Sequence, residues 1–379
     1  MGVLTVFKNG NVYLDGSFKK CDILFDEKII EIGQNLVGET EIDLNGKFVT
    51  PGFIDIHIHG RGGFDVSKDC GTVAKKIAKC GVTSFLPTTL TLSYEDTLLA
   101  LENIANYIEN DNKIGAEALG IYSEGIFFSK AKCGAQNPEN IKETIDLNFV
   151  EKMIKASKNH LKVLAFAPEN EGSVELVNYL KDKGIRASMG HTNATEAEVK
   201  PCVDAGMTGA THLFNGMSGM SHIDLGACGI GVFDERIYTE LITDGFHVNR
   251  EFVNILFKFK DTYKIIFISD NVNLSGLPEG KGEMAGVPVV ITKDKLLVDS
   301  SEKYSLAGSC LRLCDSIKNV MRMTGKSAEE ILKCVTENPA KYIGVDDKKG
   351  FIKTGFDADI NIFDEDFNLV CTYIKGEKV

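Results

Sequence analysis

Pro51-Gly-Phe-Ile-Asp-Ile-His-Ile-His-Gly60, followed at once by Arg61-Gly62-Gly63, is the stretch from which the fold of this chain is read. Phe53, Ile54, Ile56 and Ile58 make a short apolar run entered through Pro-Gly and left through glycines, the pattern of a buried parallel strand. On a strand, residues two apart face the same side, so His57 and His59 present both imidazoles together where the strand gives way to a Gly-rich loop. That arrangement suits metal ligation. Its alternative is a pair of core histidines satisfied by hydrogen bonds, and the two readings separate on whether other strands supply further ligands.

Seven more apolar runs follow, so that strands are expected at 53–59, 82–86, 117–124, 161–167, 185–191, 208–213, 239–244 and 265–270. Amphipathic helical patterns alternate with them, at 73–80, 94–109, 148–158, 173–183 and 251–259. Eight β/α units in one continuous stretch predict an α/β fold of the closed (β/α)8 TIM-barrel type in preference to an open doubly wound sheet. Residues 1–50 are strand-like segments broken by Asn9-Gly10, Asp15-Gly16 and Asn45-Gly46, which carry the chemistry of hairpin turns. The tail returns to such runs at 358–363 and 369–374. The two ends are expected to form one small β-sandwich domain, with units at 1–50, 51–345 and 346–379.

In such a barrel the chemistry collects at the carboxyl ends of the strands. The first strand ends in His57 and His59, the third in Glu124, the fifth in His191, the sixth in His212, the seventh in Asp244 and His247, and the eighth in Asp270. Five of the seven histidines fall at these places, leaving only His160 and His222 elsewhere. Glu124 alone reads as a solvated loop acid; beside His191 and His212 it completes a set of two histidines and one carboxylate of the hydrolytic zinc type, with a coordination position left for water. Asp270 suits proton transfer between water and a leaving group, with a helix cap or a paired structural acid as its alternative. His247 reads as a substrate contact or as loop packing. Gly226-Ala-Cys-Gly-Ile-Gly231 lacks the Lys-Ser/Thr of a phosphate loop and is expected to be a loop over the barrel mouth.

Of the 379 residues 43% are hydrophobic and 25% charged, which is ample for a large core. A net charge of −12 argues against broad contact with nucleic acid or anionic membranes. No cationic leader and no window of roughly 18 apolar residues is present, so a cytoplasmic protein is expected. Ten scattered cysteines without a Cys-x-x-Cys pair predict reduced, mostly buried thiols.

The histidine-bearing strand, Gly190-His-Thr-Asn-Ala194, Thr211-His-Leu-Phe-Asn-Gly-Met217, Thr243-Asp-Gly-Phe-His247, Ser269-Asp270, Leu306-Ala-Gly-Ser309 and Asn338-Pro-Ala340 together resemble the amidohydrolase superfamily, and within it the N-acetylglucosamine-6-phosphate deacetylases. The motifs run in the family's order over essentially the whole chain. The resemblance implies a hydrolase acting on a linear amide C–N bond, which converts N-acetylglucosamine 6-phosphate to glucosamine 6-phosphate and acetate. It implies that Glu124, His191 and His212 hold a divalent metal, zinc first, with iron, cobalt or manganese as alternatives. His57 and His59 leave room for a second ion bridged by Glu124, hence one or two ions per subunit. Asp270 becomes the acid/base, and Ala135, Gln136, Asn215, Gly216, His247, Leu306, Ala307 and Gly308 contact the amino-sugar phosphate of a homodimeric enzyme.

Two departures stand out. Tyr122-Ser-Glu-Gly-Ile126 replaces the family's His-Leu-Glu-Gly-Pro. Ile223-Asp-Leu-Gly226 replaces Arg-Glu-Pro-Gly, whose arginine reaches the sugar phosphate across a dimer interface. Losing that guanidinium removes a charge-assisted contact worth about 1.5–3 kcal/mol. Arg61 reads as solvent-facing, with replacement of the missing cation as its other role. The alternatives are therefore a deacetylase of another N-acyl amino sugar, galactosamine-type or unphosphorylated; a cyclic-amide hydrolase, for which Leu164–Glu169 offers no bridging lysine; and a scaffold on a dead barrel, which loss of ligands would mark.

Overall fold

The computed structural model describes residues 3–110, 114–299 and 305–379. Residues 1 and 2 of the expected first unit lie outside the described residues. Eight parallel strands, β1 (Phe53–Ile58), β2 (Val82–Thr89), β3 (Ile121–Glu124), β4 (Leu161–Phe166), β5 (Arg186–Met189), β6 (Gly209–Ala210), β7 (Tyr238–Ile242) and β8 (Ile265–Ile268), pair in chain order. Every residue of β1 and β2 is buried, because helices cover one face and the barrel interior the other. The seam closes where the N–H of Asp270 donates to His57 O at 3.0 Å and that of His59 to Asn271 O at 2.7 Å. The pairing register of β1 on β2 shifts between Asp55 and Ile58, next to His57.

Helices α1 (Val66–Ala78), α2 (Tyr94–Glu109), α3 (Leu147–Ala156), α4 (Ser173–Asp182), α5 (Glu196–Ala205), α6 (Gly226–Phe233), α7 (Arg250–Phe259) and α8 (Ser316–Thr324) follow the strands. In α2, Ser93 Oγ accepts the N–H of Asp96 and stops the chain from fraying, while Thr97, Ala100, Leu101, Ile104, Ala105 and Ile108 form the buried stripe. That stripe packs with Phe85, Leu164 and Phe166 in the shell between strands and helices. Inside the barrel, Ile54, Ile56, Tyr122, Val163, Ile242, Ile266 and Ile268 belong to a second buried cluster, so the cylinder is a packed core that supports a site at its rim.

Gly226–Phe233 is helical, contrary to the expectation of a loop over the barrel mouth. Its glycines lower intrinsic helicity by up to about 1 kcal/mol each, yet they fit where a larger residue would not: a Cβ at Gly231 would run into Leu213 Cδ1. Tertiary packing decides that segment. A second departure is an insertion between β8 and α8, in which Gly280–Met284, Val287–Ile291, Lys295–Val298 and Leu306–Ser309 form an antiparallel four-stranded meander. Met284, Val289, Leu296 and Ala307 pack on Leu90, Val272 and Leu274, which seats the meander beside the rim.

The two chain ends share one mainly antiparallel eight-stranded sheet, in which Ile360–Phe363 pairs with Phe48–Pro51 and the latter runs parallel to Thr5–Leu14. Its core gathers Phe7, Val12, Ile23, Phe25, Val49, Ile360 and Ile362. Asp15-Gly16 and Asn45-Gly46 lie between strands as turn signals should, but Asn9-Gly10 sits within the first strand at a register shift, with Asn9 at φ 56°. Asn-Gly chemistry serves an irregularity in the ladder there, where Asn9 takes the left-handed conformation that tight turns also use. Lys349, nearly fully buried, joins this sheet to the barrel: its Nζ lies 2.8 Å from Glu117, 2.8 Å from Asp357 and 2.7 Å from Asp359. Among the described residues no helix is long and apolar enough to cross a membrane.

Candidate metal centre

The carboxyl ends of β3, β5 and β6 bring Glu124, His191 and His212 together. Glu124 Oε1 lies 3.2 Å from His191 Nε2 and 2.8 Å from His212 Nε2. Its other oxygen, Oε2, lies 3.2 Å from His59 Nε2 and 3.6 Å from His57 Nε2. Asp270 Oδ1 stands 3.3 Å from His59 Nε2 and 3.6 Å from His57 Nε2. Two groups with ligand spacing result, Glu124–His191–His212 and His57–His59–Asp270, with Glu124 reaching toward both.

The outer ring nitrogens decide what the inner ones offer. His191 Nδ1 donates to Lys132 O at 2.8 Å, His59 Nδ1 to Thr88 O at 3.0 Å and His57 Nδ1 to Glu240 Oε2 at 2.8 Å. In the neutral ring each Nε2 is then a lone pair aimed at a carboxylate oxygen or another Nε2, an arrangement that repels unless positive charge lies between them. The protein groups alone can meet this only by proton uptake. Burial opposes charge on His59, but hydrogen bonds to Asp270 and Glu124 push its pKa up to about 9. Burial likewise opposes ionisation of Glu124, and the charge of His57 with the hydrogen bonds of His191 and His212 outweighs it and holds the carboxyl well below its usual range. Asp270 behaves in the same way, lowered through His59 and His57 despite burial. Converging lone pairs and carboxylates of this kind fit a divalent cation.

His191, His212 and Asp270 have φ of 42°, 32° and 50°. Left-handed backbone costs a non-glycine residue about 1–3 kcal/mol and collects where side chains must be aimed. Gly216, at φ 59°, passes so close to His191 that a Cβ there would sit 2.8 Å from its Nδ1.

The cluster floors a cavity of about 230 Å³, a little under the usual range of about 300–1,000 Å³ for small-molecule sites. His59, Glu124, Ala135, Gln136, His191, His212, Asn215, Gly216, His247, Asp270, Leu306 and Gly308 reach it. Ala307 instead points into the core of the meander, and His57 lies behind His59, away from the cavity. Both ends of the Gln136 amide are engaged, since Nε2 donates to Glu124 Oε2 at 2.7 Å and Oε1 accepts the N–H of Thr91 at 2.9 Å. His247 Nδ1 donates to Asp244 Oδ2 at 2.7 Å, which leaves Nε2 for the cavity side. Arg61 is only partly exposed to solvent and does not line the cavity. Its half-buried guanidinium donates to Asn271 Oδ1 and Leu311 O, carbonyl groups of the segment after β8.

Sequence reasoning missed Glu240, mid-strand in β7, and the cavity contributions of Leu90, Val272 and Met284. Turn signals at Ala285-Gly286 and Lys293-Asp294 were available for the meander that carries Met284. Larger clefts, such as that between α2 and Glu283–Gly286, hold no comparable set of ligands among the described residues.

Residues 48–379 match the model of the amidohydrolase family. The chain belongs to this family. A Bacillus subtilis (strain 168) N-acetylglucosamine-6-phosphate deacetylase is 34% identical over 86% of the chain and 83% of its own length. An Escherichia coli O157:H7 N-acetylgalactosamine-6-phosphate deacetylase is 32% identical over 90% of the chain and 89% of its own. The crystal structure of N-acetylglucosamine-6-phosphate deacetylase from Pasteurella multocida superposes with a TM-score of 0.91 at 28% identity, covering 99% of both chains. Family membership and the His/Glu/His cluster together indicate a divalent-metal hydrolase.

Proposed function

We propose that this amidohydrolase removes acetate from N-acetylglucosamine 6-phosphate to give glucosamine 6-phosphate. The observation that carries this reading is the Glu124–His191–His212 cluster with Asp270 beside it, flooring a cavity in a chain that matches amino-sugar-phosphate deacetylases over most of its length. Zinc is the expected ion, suited to nitrogen and carboxylate ligands in an open site. Bound there, a divalent cation supplies Lewis acidity that lowers the pKa of water and polarises an amide carbonyl. Asp270, held ionised, takes a proton from the attacking water and returns it to the sugar nitrogen, because an amine leaves poorly unless protonated as the C–N bond breaks. Gln136 holds Glu124 in place, and His247, fixed by Asp244, offers Nε2 to a sugar hydroxyl. Asn215, Gly216, Ala135 and the Leu306–Gly308 edge, in which Ala307 acts only through its backbone, surround the substrate. A cytoplasmic homodimer with units at 1–50, 51–345 and 346–379 is the form expected of it.

A second substrate reading, a galactosamine-type or unphosphorylated N-acyl sugar, is favoured by one feature: no Lys or Arg lines the cavity among the described residues, and Ile223 is 83% exposed. Initial rates of free-amine release from N-acetylglucosamine and N-acetylgalactosamine, each with and without the 6-phosphate, decide between them. The first reading requires the phosphorylated glucosamine compound to have the highest kcat/KM and a chelator to abolish turnover. Equal kcat/KM for the plain sugar would overturn the phosphate assignment.

A further inference from the structure

Glu240 belongs to neither ligand group and does not reach the cavity, yet its carboxylate is buried directly behind the cluster at 2% exposure. One oxygen, Oε2, takes two hydrogen bonds: the ring Nδ1–H of His57 at 2.8 Å and the backbone N–H of His212 at 3.1 Å. The other, Oε1, has no hydrogen-bond partner among the described residues. Tyr122 and Tyr342, both members of the buried cluster inside the barrel, are near enough to interact electrostatically with this carboxylate. A carboxylate in such surroundings is costly unless positive charge compensates it. The nearest route to such charge runs through the His57 ring.

The geometry points to Glu240 as the positioning residue that commits His57 to a second cation and links that cation's place to the first. By accepting Nδ1–H it fixes the tautomer in which His57 Nε2 is a lone pair, and that nitrogen then faces His59 Nε2 at 3.3 Å and Asp270 Oδ1 at 3.6 Å. Without the acceptor the proton is free to move to Nε2 and close the ligand position, which is the general reason that ligating imidazoles carry a carboxylate behind them. The same oxygen holds the backbone of His212, which ligates from the other group, so a shift of Glu240 moves both sets together. This inference rests on the metal-dependent reading above and extends it to ion stoichiometry.

The test compares wild type, Glu240→Gln and Glu240→Leu after equilibrium dialysis against zinc or cobalt, with ion content and affinity measured, and 15N spectra of histidine-labelled ion-free protein. Wild type should take up two cations per chain. Glu240→Leu should retain the first and bind the second ~10–100-fold more weakly, and its His57 ring should lose the fixed Nδ1–H tautomer. Glu240→Gln, isosteric and still offering an acceptor oxygen, should keep that tautomer and both ions, with a smaller loss. A single cation in wild type, or two cations at unchanged affinity in Glu240→Leu, overturns the assignment. No cation in wild type would instead bring down the metal-dependent reading itself.

Discussion

Asp270 has two relations to the centre, because its Oδ1 touches His59 and His57 while its backbone N–H closes the barrel seam on His57 O. Asp270→Asn preserves shape and removes the proton acceptor, so turnover should fall by about 10²–10⁴-fold, with the ion held by Glu124, His191 and His212 still present on elemental analysis. Loss of that ion together with activity would reassign Asp270 to ligation alone. His59 sets a pH dependence. Its folded pKa of about 9 in the ion-free protein lies above the ordinary 6.5. The stability it contributes is therefore fully present below about pH 6.5 and disappears as pH rises through about 9. Protons compete with cations over the same interval. Metal affinity should rise from about pH 6.5 to about 9, and ion-free Tm should fall; a flat affinity profile would show that the ring does not ligate. The histidines and acids were readable because each closes an apolar run. Glu240 was not, since between Thr239 and Leu241 it looks like any polar residue of an alternating strand until closure turns it inward.

At the scale of elements, the strands were readable from apolar runs and the helices from their periodicity, and α2 matches its predicted span of 94–109. The failures have physical causes. In α6 packing overrides the low propensity of its glycines, and in the meander moderate alternation is diluted by lysines and glycines on its solvent side. How the meander docks is testable at Gly308. With φ at 70°, a Cβ there would lie 2.6 Å from Val272 Cγ1 and 2.9 Å from Asp270 O. Gly308→Ala should lift the Leu306–Ser309 edge from the rim and raise KM at unchanged ion content, as steady-state kinetics with metal analysis would show. An unchanged KM would mean that the edge does not border the substrate.

Across the whole molecule, Lys349 is the main polar tie between the terminal sheet and the barrel. Glu117, its barrel partner, has its carboxyl pulled down to about 2: burial opposes this, and the charges and hydrogen bonds of Lys349 and Lys375 prevail. A depressed carboxyl stabilises above its unfolded value of 4.5 and loses that contribution as pH falls toward 2. Lys349→Met removes the buried cation from Asp359 and leaves Glu117 and Asp357 only the partly exposed Lys375 and Lys28, and should cost about 3–5 kcal/mol in denaturant unfolding; a change below about 1 kcal/mol would show that the cluster relaxes into water. The terminal sheet has a different consequence for biogenesis. The strand Phe48–Pro51 precedes the barrel in the chain, whereas Ile360–Phe363, which covers its edge, is more than three hundred residues away and emerges only after all eight barrel strands. During synthesis that edge waits uncovered while the barrel forms, a long-range pairing of the slow and aggregation-prone sort. Nascent chains halted before Ile360 should therefore depend on chaperones for solubility even when all eight barrel strands have been translated.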